Sequence, residues 1–259
     1  MEINFNGTVI VWQDFHYPYH DPRVIREAEL FAYDLQPDMI LYPGDIIDCY
    51  LLSKFDKNPK RSGGKGSLQK EFDMAAAMFK RHRKYCPNAR MIFEPGNHED
   101  RLRRYLWSKA TELEDLRCMQ IESLMGLTDN GVELIEKDEG VLFNGNFLVT
   151  HAEIVRAHSG YTAKGMMDKH GGSGIHGHSH RLGSHYKTPR SGMQGWFENG
   201  CLCNMNPDYM VHPNWQQGFS VVTFINGRFW VEQLPIINRK FIYGGTVYGS
   251  GGKKRKNKV

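Results

Sequence analysis

Apolar positions in the first half of the chain come in short unbroken runs that alternate with segments of helical period. Thr8-Val9-Ile10-Val11-Trp12 is β-branched, apolar on both faces and too short for a helix, so it reads as a buried strand. Pro22 then opens a segment in which Ile25, Ala28, Phe31, Ala32 and Leu35 recur at three and four residues, which predicts a helix. Asp38 to Tyr42 reads as the second strand and Met91-Ile92-Phe93 as the third. Between them Leu68 to Tyr85 reads as a second helix, with Phe72, Ala75, Ala76 and Phe79 on one face. Strands that alternate with helices imply right-handed crossovers and a parallel sheet.

The second half is richer in strand patterns: Val132 to Ile135, Phe147 to Thr150, Gly174 to His178, Trp196 to Asn199, Phe219 to Ile225 and Arg228 to Leu234. Asn226-Gly227 between the last two is a strong hairpin signal. Crossovers followed by hairpins predict two packed sheets flanked by helices. Two irregular stretches interrupt the pattern. One is basic and glycine-rich, Ser53 to Ser67; the other, Cys203 to Gln217, holds Tyr209, His212, Asn214 and Trp215. Loops of this length are often functional or mobile.

At 259 residues, 40% hydrophobic and 24% charged, the chain can bury an ordinary core without staples. Its five cysteines, Cys49, Cys86, Cys118, Cys201 and Cys203, form no regular framework, which favours reduced thiols and a cytoplasmic protein. No signal peptide or run long enough for a membrane span is expected. The net charge of +4 is concentrated in Lys253-Lys254-Arg255-Lys256-Asn257-Lys258. Beyond the predicted domain, residues 1–243, the segment 244–259 reads as a flexible glycine-rich and basic tail. It either contacts phosphates or is simply solvated.

The 12 histidines change the picture more. Metal-competent side chains cluster where the predicted strands end: Asp14-Phe15-His16, Gly44-Asp45-Ile46-Ile47-Asp48, Gly96-Asn97-His98-Glu99, His151, and Gly177-His178-Ser179-His180. Open α/β sheets bind ligands beyond the carboxyl ends of their strands, so these segments can meet in one crevice. By chance a D-x-H occurs in most such chains, G-D-x-x-D or G-H-x-H in roughly 5–10% and G-N-H-[DE] in about 1%; those four together have a chance on the order of 10⁻⁵.

In this order the motifs resemble those of the calcineurin-like metallophosphoesterases, over roughly residues 8 to 185. The resemblance implies an α/β fold, a four-layer α/β/β/α sandwich of two mixed sheets flanked by helices. It also implies two divalent cations, Mn, Fe, Zn or Ni, held by oxygen and nitrogen donors. By the resemblance Asp14, His16, Asp45 and His180 hold one cation and Asn97, His151 and His178 the other, with Asp45 shared. His98 becomes the general acid, oriented by Asp48, and Asn97 also touches substrate. The activity implied is hydrolysis of a phosphate ester by water that the cations acidify.

The residues leave substrate more open. Phosphoprotein phosphatases that resemble this family carry Asp-Arg-Gly where this chain has Asp48-Cys49-Tyr50. The missing arginine favours a phosphodiesterase acting on nucleic acid or a nucleotide over a phosphomonoesterase or protein phosphatase. The basic loop and the aromatics Tyr209 and Trp215 fit such a substrate, or else are a flexible insertion and core closure. Arg101, with Arg103 and Arg104, either steadies substrate phosphate or is a solvated helix charge. His176 reads as a satisfied core histidine, His20 as loop packing or support for the site, and Asp48 alternatively as a turn cap. A non-catalytic interaction module on the same fold is the rival of another class, against which the retained motif histidines speak. The Asn214-Trp215-Gln216-Gln217-Gly218-Phe219 stretch resembles that of small stand-alone phage and bacterial members.

Overall fold

Runs such as Val9-Ile10-Val11 offer a side chain to each face in turn, so they are stable only where both faces are covered. The computed structural model, which describes residues 1–54, 67–206 and 213–249, covers them. In chain order the strands and longer helices are β1 (Glu2–Ile3), β2 (Gly7–Val11), α1 (Pro22–Leu35), β3 (Met39–Pro43), α2 (Leu68–Tyr85), β4 (Arg90–Glu94) and α3 (Asp100–Lys109). There follow β5 (Val132–Leu134), β6 (Val141–Phe143), β7 (Phe147–Thr150), α4 (Tyr161–His170), β8 (Ser173–His176), β9 (Leu182–Lys187) and β10 (Gln194–Asn199). The chain closes with β11 (Gly218–Ile225), β12 (Arg228–Pro235), β13 (Phe241–Tyr243) and β14 (Thr246–Tyr248).

Two six-stranded mixed sheets result, ordered β12-β11-β2-β3-β4-β5 and β1-β6-β7-β8-β10-β9. β2, β3, β4 and β5 run parallel, as do β7, β8 and β10. Side-chain parity builds the layers. Ile10, Ile40, Met91 and Phe93 point to the helical side, where Phe31 of α1 and Phe72 and Phe79 of α2 pack on them. Val9, Val11, Met39, Leu41 and Ile92 point the other way, against Phe143, Phe147, Val149, Ile175 and Phe197 of the second sheet. Beyond that sheet Ala163, Met166 and Met167 of α4 close on Trp196. The molecule is the expected α/β/β/α sandwich.

Local chemistry fixes the element ends. The Asp21 carboxylate accepts from the N–H groups of Arg23 and Val24 and Pro22 takes the first turn, so α1 starts where the sequence predicts. Asn226 and Gly227 both have positive φ, 52° and 73°, as a two-residue hairpin of this hand requires.

Two expectations need correction. The tail does not begin at Gly244: β14 pairs with β13, the Tyr248 ring stacks on Phe241, and Gly249 donates its N–H to Glu27. Packed chain therefore extends at least to Gly249. The second concerns the strand expected over Gly174 to His178: β8 stops at His176, so His178 lies beyond it. The basic tail and most of the Ser53 to Ser67 loop lie outside the described residues. Among those residues no helix is long and apolar enough to cross a membrane.

Candidate metal centre

β2, β3 and β4 end side by side in one sheet, and β7 and β8 end beside them in the other. The loops that leave these five strands turn at once, and they do so in an unusual backbone conformation. Asp14, His16, Asp45, His178 and His180 all have positive φ, between 51° and 77°. Left-handed backbone at a residue with a Cβ costs about 1–3 kcal/mol and persists only where surrounding contacts enforce it. Here it re-aims each side chain. His178 and His180 consequently face different neighbours instead of sharing one strand face. Gly96 is required for close approach, because a Cβ there would collide with the Asp45 carboxylate and main-chain nitrogen.

The expected ligands converge on two adjacent points. At the first, His180 Nε2 lies 2.9 Å from His16 Nε2 and 3.2 Å from Asp14 Oδ1, and Asp45 Oδ2 lies 3.7 Å from His16 Nε2. At the second, His151 Nε2 lies 3.0 Å from Asn97 Oδ1 and 3.6 Å from Asp45 Oδ2, and His178 Nδ1 is 4.0 Å from the same carboxylate oxygen. Asp45 belongs to both sets. Donor atoms of Asp14, His16, Asp45 and His180 lie within 4.8 Å of one another, as do those of Asp45, His151 and His178. Backbone groups aim several of these rings and carboxylates. His151 Nδ1 lies 3.0 Å from the Pro43 carbonyl, which turns its Nε2 inward. The Asp14 carboxylate accepts the His178 N–H, and Asp45 Oδ1 accepts that of His98.

His98, Asp48 and Arg101 adjoin the first set at its edge: donor atoms of His16, Asp48 and His98 also lie within 4.8 Å of one another, and His98 Nε2 is 3.9 Å from Asp45 Oδ2. His98 Nδ1 is anchored on the Asp48 carbonyl at 2.7 Å, and the Asp48 carboxylate lies closer to His16 Nδ1, 3.2 Å, than to His98 Nδ1, 3.8 Å. Asp48 thus contacts His98 through its main chain and His16 through its side chain. Arg101 donates to the Asp48 carbonyl at 2.8 Å, and its other terminal nitrogen lies 3.0 Å from His98 Nε2. Arg103 and Arg104 instead pair with the buried Asp100.

Glu99 is the residue for which the motif alone suggests no task. It is buried and accepts N–H groups from Asp45, Ile46, Ile47 and Gly96, locking two ligand loops together. Its signal in the sequence was an acidic residue held next to an Asn-His pair at the start of a helix. Glu94 acts similarly on the other sheet, accepting from the Thr150 hydroxyl and the His151 N–H.

Charge in the cluster is heavily perturbed. Burial pushes the Asp45 carboxyl up, but His98, His151, His178 and His16 outweigh it and hold it well below the usual range. Burial opposes protonation of His16, yet hydrogen bonds to Asp14 and Asp48 raise it well above the ordinary histidine value. A protonated His16 can donate to His180, whose own value is lowered by burial. Burial also lowers His98 to about 3 and raises Glu99 to about 7, the latter helped by the nearby Asp45 charge.

Other candidates give no donor to either set. His176 is fully buried and accepts from the Trp196 indole at 2.8 Å, but its Nε2 has no hydrogen-bond partner among the described residues, so it is only half satisfied there. His20 packs its ring on Tyr17. Trp215 sets its ring edge-on to His180, with centroids 4.3 Å apart. Tyr209 and His212 lie outside the described residues.

Carboxylate, amide and imidazole donors without thiolate suit Mn, Fe, Zn or Ni, and the concentration of buried carboxylates calls for positive charge. The residues fit a pair of divalent cations that share Asp45.

No family model matches the chain. Two curated relatives, each called "Gene 54 protein", come from Mycobacterium phage L5 and Mycobacterium phage D29. Each is 26% identical over 254 residues, spanning 93% of this chain and 98% of the relative. Among solved structures, wild-type Vps29 complexed with zinc from Entamoeba histolytica is 11% identical with a TM-score of 0.45, covering 89% of this chain and 93% of the other. Chaetomium thermophilum Vps29 is 8% identical with a TM-score of 0.47, covering 89% and 86%. A dimetal phosphatase from Danio rerio is 11% identical with a TM-score of 0.42, covering 87% and 95%. Likeness at this level carries nothing about activity, which has to rest on the site itself.

Proposed function

We propose that this protein is a dinuclear metal-dependent phosphoesterase, and that it acts on phosphodiesters of nucleic acid or nucleotides. The observation that carries the reading is Asp45, one buried carboxylate placed between two sets of oxygen and nitrogen donors. Two divalent cations bound there supply an acidified water and offset charge on phosphate oxygens. The chain's own residues do the rest. Asp14, His16, Asp45 and His180 form one ligand set, and Asn97, His151 and His178 complete the other with Asp45. Asn97 also borders the space a phosphate oxygen would enter.

His98 is the general acid for the leaving oxygen. Held near 3 by burial, its ring is neutral at pH 7, and its Nε2 faces Arg101. An anionic phosphate beside it favours the protonated ring, so the acid form accompanies substrate. Arg101 can then turn from His98 to a phosphate oxygen. The diester preference draws support from position 49, where a monoester-gripping arginine is expected in protein phosphatases. Cys49 is fully buried there and its N–H is tied to Glu71, so no substrate group emerges from that position.

The test compares an activated diester with the matching monoester on manganese-loaded protein, with Asn97→Ala as control. It then runs single-stranded DNA, duplex DNA, RNA and cyclic nucleotides. Faster diester turnover, lost in Asn97→Ala, is expected. A strong monoester preference overturns the substrate class, and a protein that stays metal-free and inert favours the interaction module.

A further inference from the structure

Behind His180 lies a group of soft donors that the dinuclear centre does not use. The segment Cys201-Leu202-Cys203 makes isolated bridges on either side, Cys201 with Gln217 and Cys203 with His20, and is held extended by them. In an extended segment alternate residues share a face. Leu202 enters the hydrophobic core, and the two cysteines turn the other way. Both are buried free thiols. Their sulfurs and a ring nitrogen of His180 lie within 4.8 Å of one another. Cys203 Sγ is 4.0 Å from His180 Nδ1, and the thioether of Met205 is 3.9 Å from Cys201 Sγ.

Donors around one cation with metal–sulfur bonds of about 2.3 Å stand about 3.8–4.0 Å apart, so these spacings suit a shared ion. The ordinary alternative is weak hydrogen bonding among packed thiols, and Cys201 does have the Gln216 carbonyl at 3.6 Å. Taken singly, the contacts of Cys201 with Met205 and of Cys203 with His180 are also within reach of such a bond. What favours a site is the gathering of two thiols, a thioether and an imidazole nitrogen at one place beside a centre built from hard donors.

We propose that Cys201, Cys203 and Nδ1 of His180, with the Met205 sulfur as fourth donor, form a second site, specific for a soft thiophilic cation of the cuprous class. Thiolate and thioether ligands select such ions, and manganese does not compete for them. On binding, each thiol releases its proton to solvent, as does Nδ1 of His180 when its Nε2 holds the neighbouring cation, and no electron is transferred. His180 sits between the two sites, with Nε2 toward Asp14 and Nδ1 toward the sulfurs. The two sites share His180, but this one is read out through copper uptake and the phosphoesterase reading through turnover, so the failure of either is seen separately.

The test uses a Cys118→Ser background, which removes the exposed thiol. Copper(I) is offered as its complex with a chromogenic cuprous chelator to manganese-loaded protein. The parent is expected to withdraw one copper per chain. Adding Cys201→Ser and Cys203→Ser abolishes the withdrawal, and Met205→Leu weakens it by about 10–100-fold. Circular dichroism reports whether the double variant folds; should it not, Met205→Leu decides, since Leu preserves the volume of this half-buried side chain. Failure of the parent to take copper, or equal withdrawal by parent and Met205→Leu protein, overturns the proposal.

Discussion

Single residues at the centre have separable duties. If His98 delivers a proton, His98→Ala lowers kcat by about 10²–10⁴ while bound manganese stays unchanged, because His98 belongs to neither ligand set. Equal loss of metal and rate in that variant would make it a ligand instead. His16 should govern metal uptake. Its protonated form has to lose a proton to any cation on Nε2, so apparent affinity rises with pH until His16 is neutral. Metal titrations at several pH values check this through the protons released. His176 offers a stability test. Burial lowers it to about 3, below the unfolded value of 6.5, so the unfolded chain binds the extra proton between them. Its contribution is complete above pH 6.5 and fades as pH falls toward 3. His176→Asn, which keeps an acceptor for Trp196, should flatten the fall in stability over that window in denaturant melts.

At the scale of elements, the loops depend on one another more than on their own strands. Glu99 fastens the Gly44–Asp48 loop to the Gly96–Glu99 loop through four N–H groups. Glu99→Gln places an amide N–H₂ against donors and leaves at least one unsatisfied, costing about 1–3 kcal/mol. Manganese affinity should fall with it, although Glu99 touches no cation; unchanged affinity would show that the loops hold their shape without it. This coupling also marks what the sequence could reveal. The strands β2, β3, β4, β7 and both main helices were legible from period and caps, and the convergence of the candidate ligands from glycine-flanked motifs at strand ends. The short strands β1, β6, β13 and β14 were not, since two or three residues carry no period; β1 and β6 find each other across more than a hundred positions, and β13 and β14 are a short local pair. The left-handed turns at His178 and His180 were equally hidden. Nothing about a histidine announces positive φ, and only the crowding around Asp14 and Asp45 imposes it.

For the whole molecule, the centre is the seam between the two sheets. β2, β3 and β4 contribute from one and β7 and β8 from the other, so cations bound there tie the halves of the sandwich across their edge. Ligand binding to the folded chain alone raises stability by about 2.7 kcal/mol at a hundred times the dissociation constant. Manganese should therefore raise the melting temperature, and a chelator should lower it. The increment should shrink in Asp45→Asn, which strips both ligand sets of their common member. Core truncation acts on a different axis. Phe224→Ala, in the layer between sheets, should cost about 3–5 kcal/mol with or without manganese.

The left-handed backbone at five of the proposed ligands has one more implication. Most of the conformational cost of shaping the cage was met during folding, so a stripped protein has little left to rearrange when ions return. Recovery after chelation should therefore track how quickly each hydrated ion sheds its water, and swapping manganese for the slower-dehydrating nickel should delay it. A reload time identical for the two ions would mean that the loops relax when emptied and rebuild at each capture.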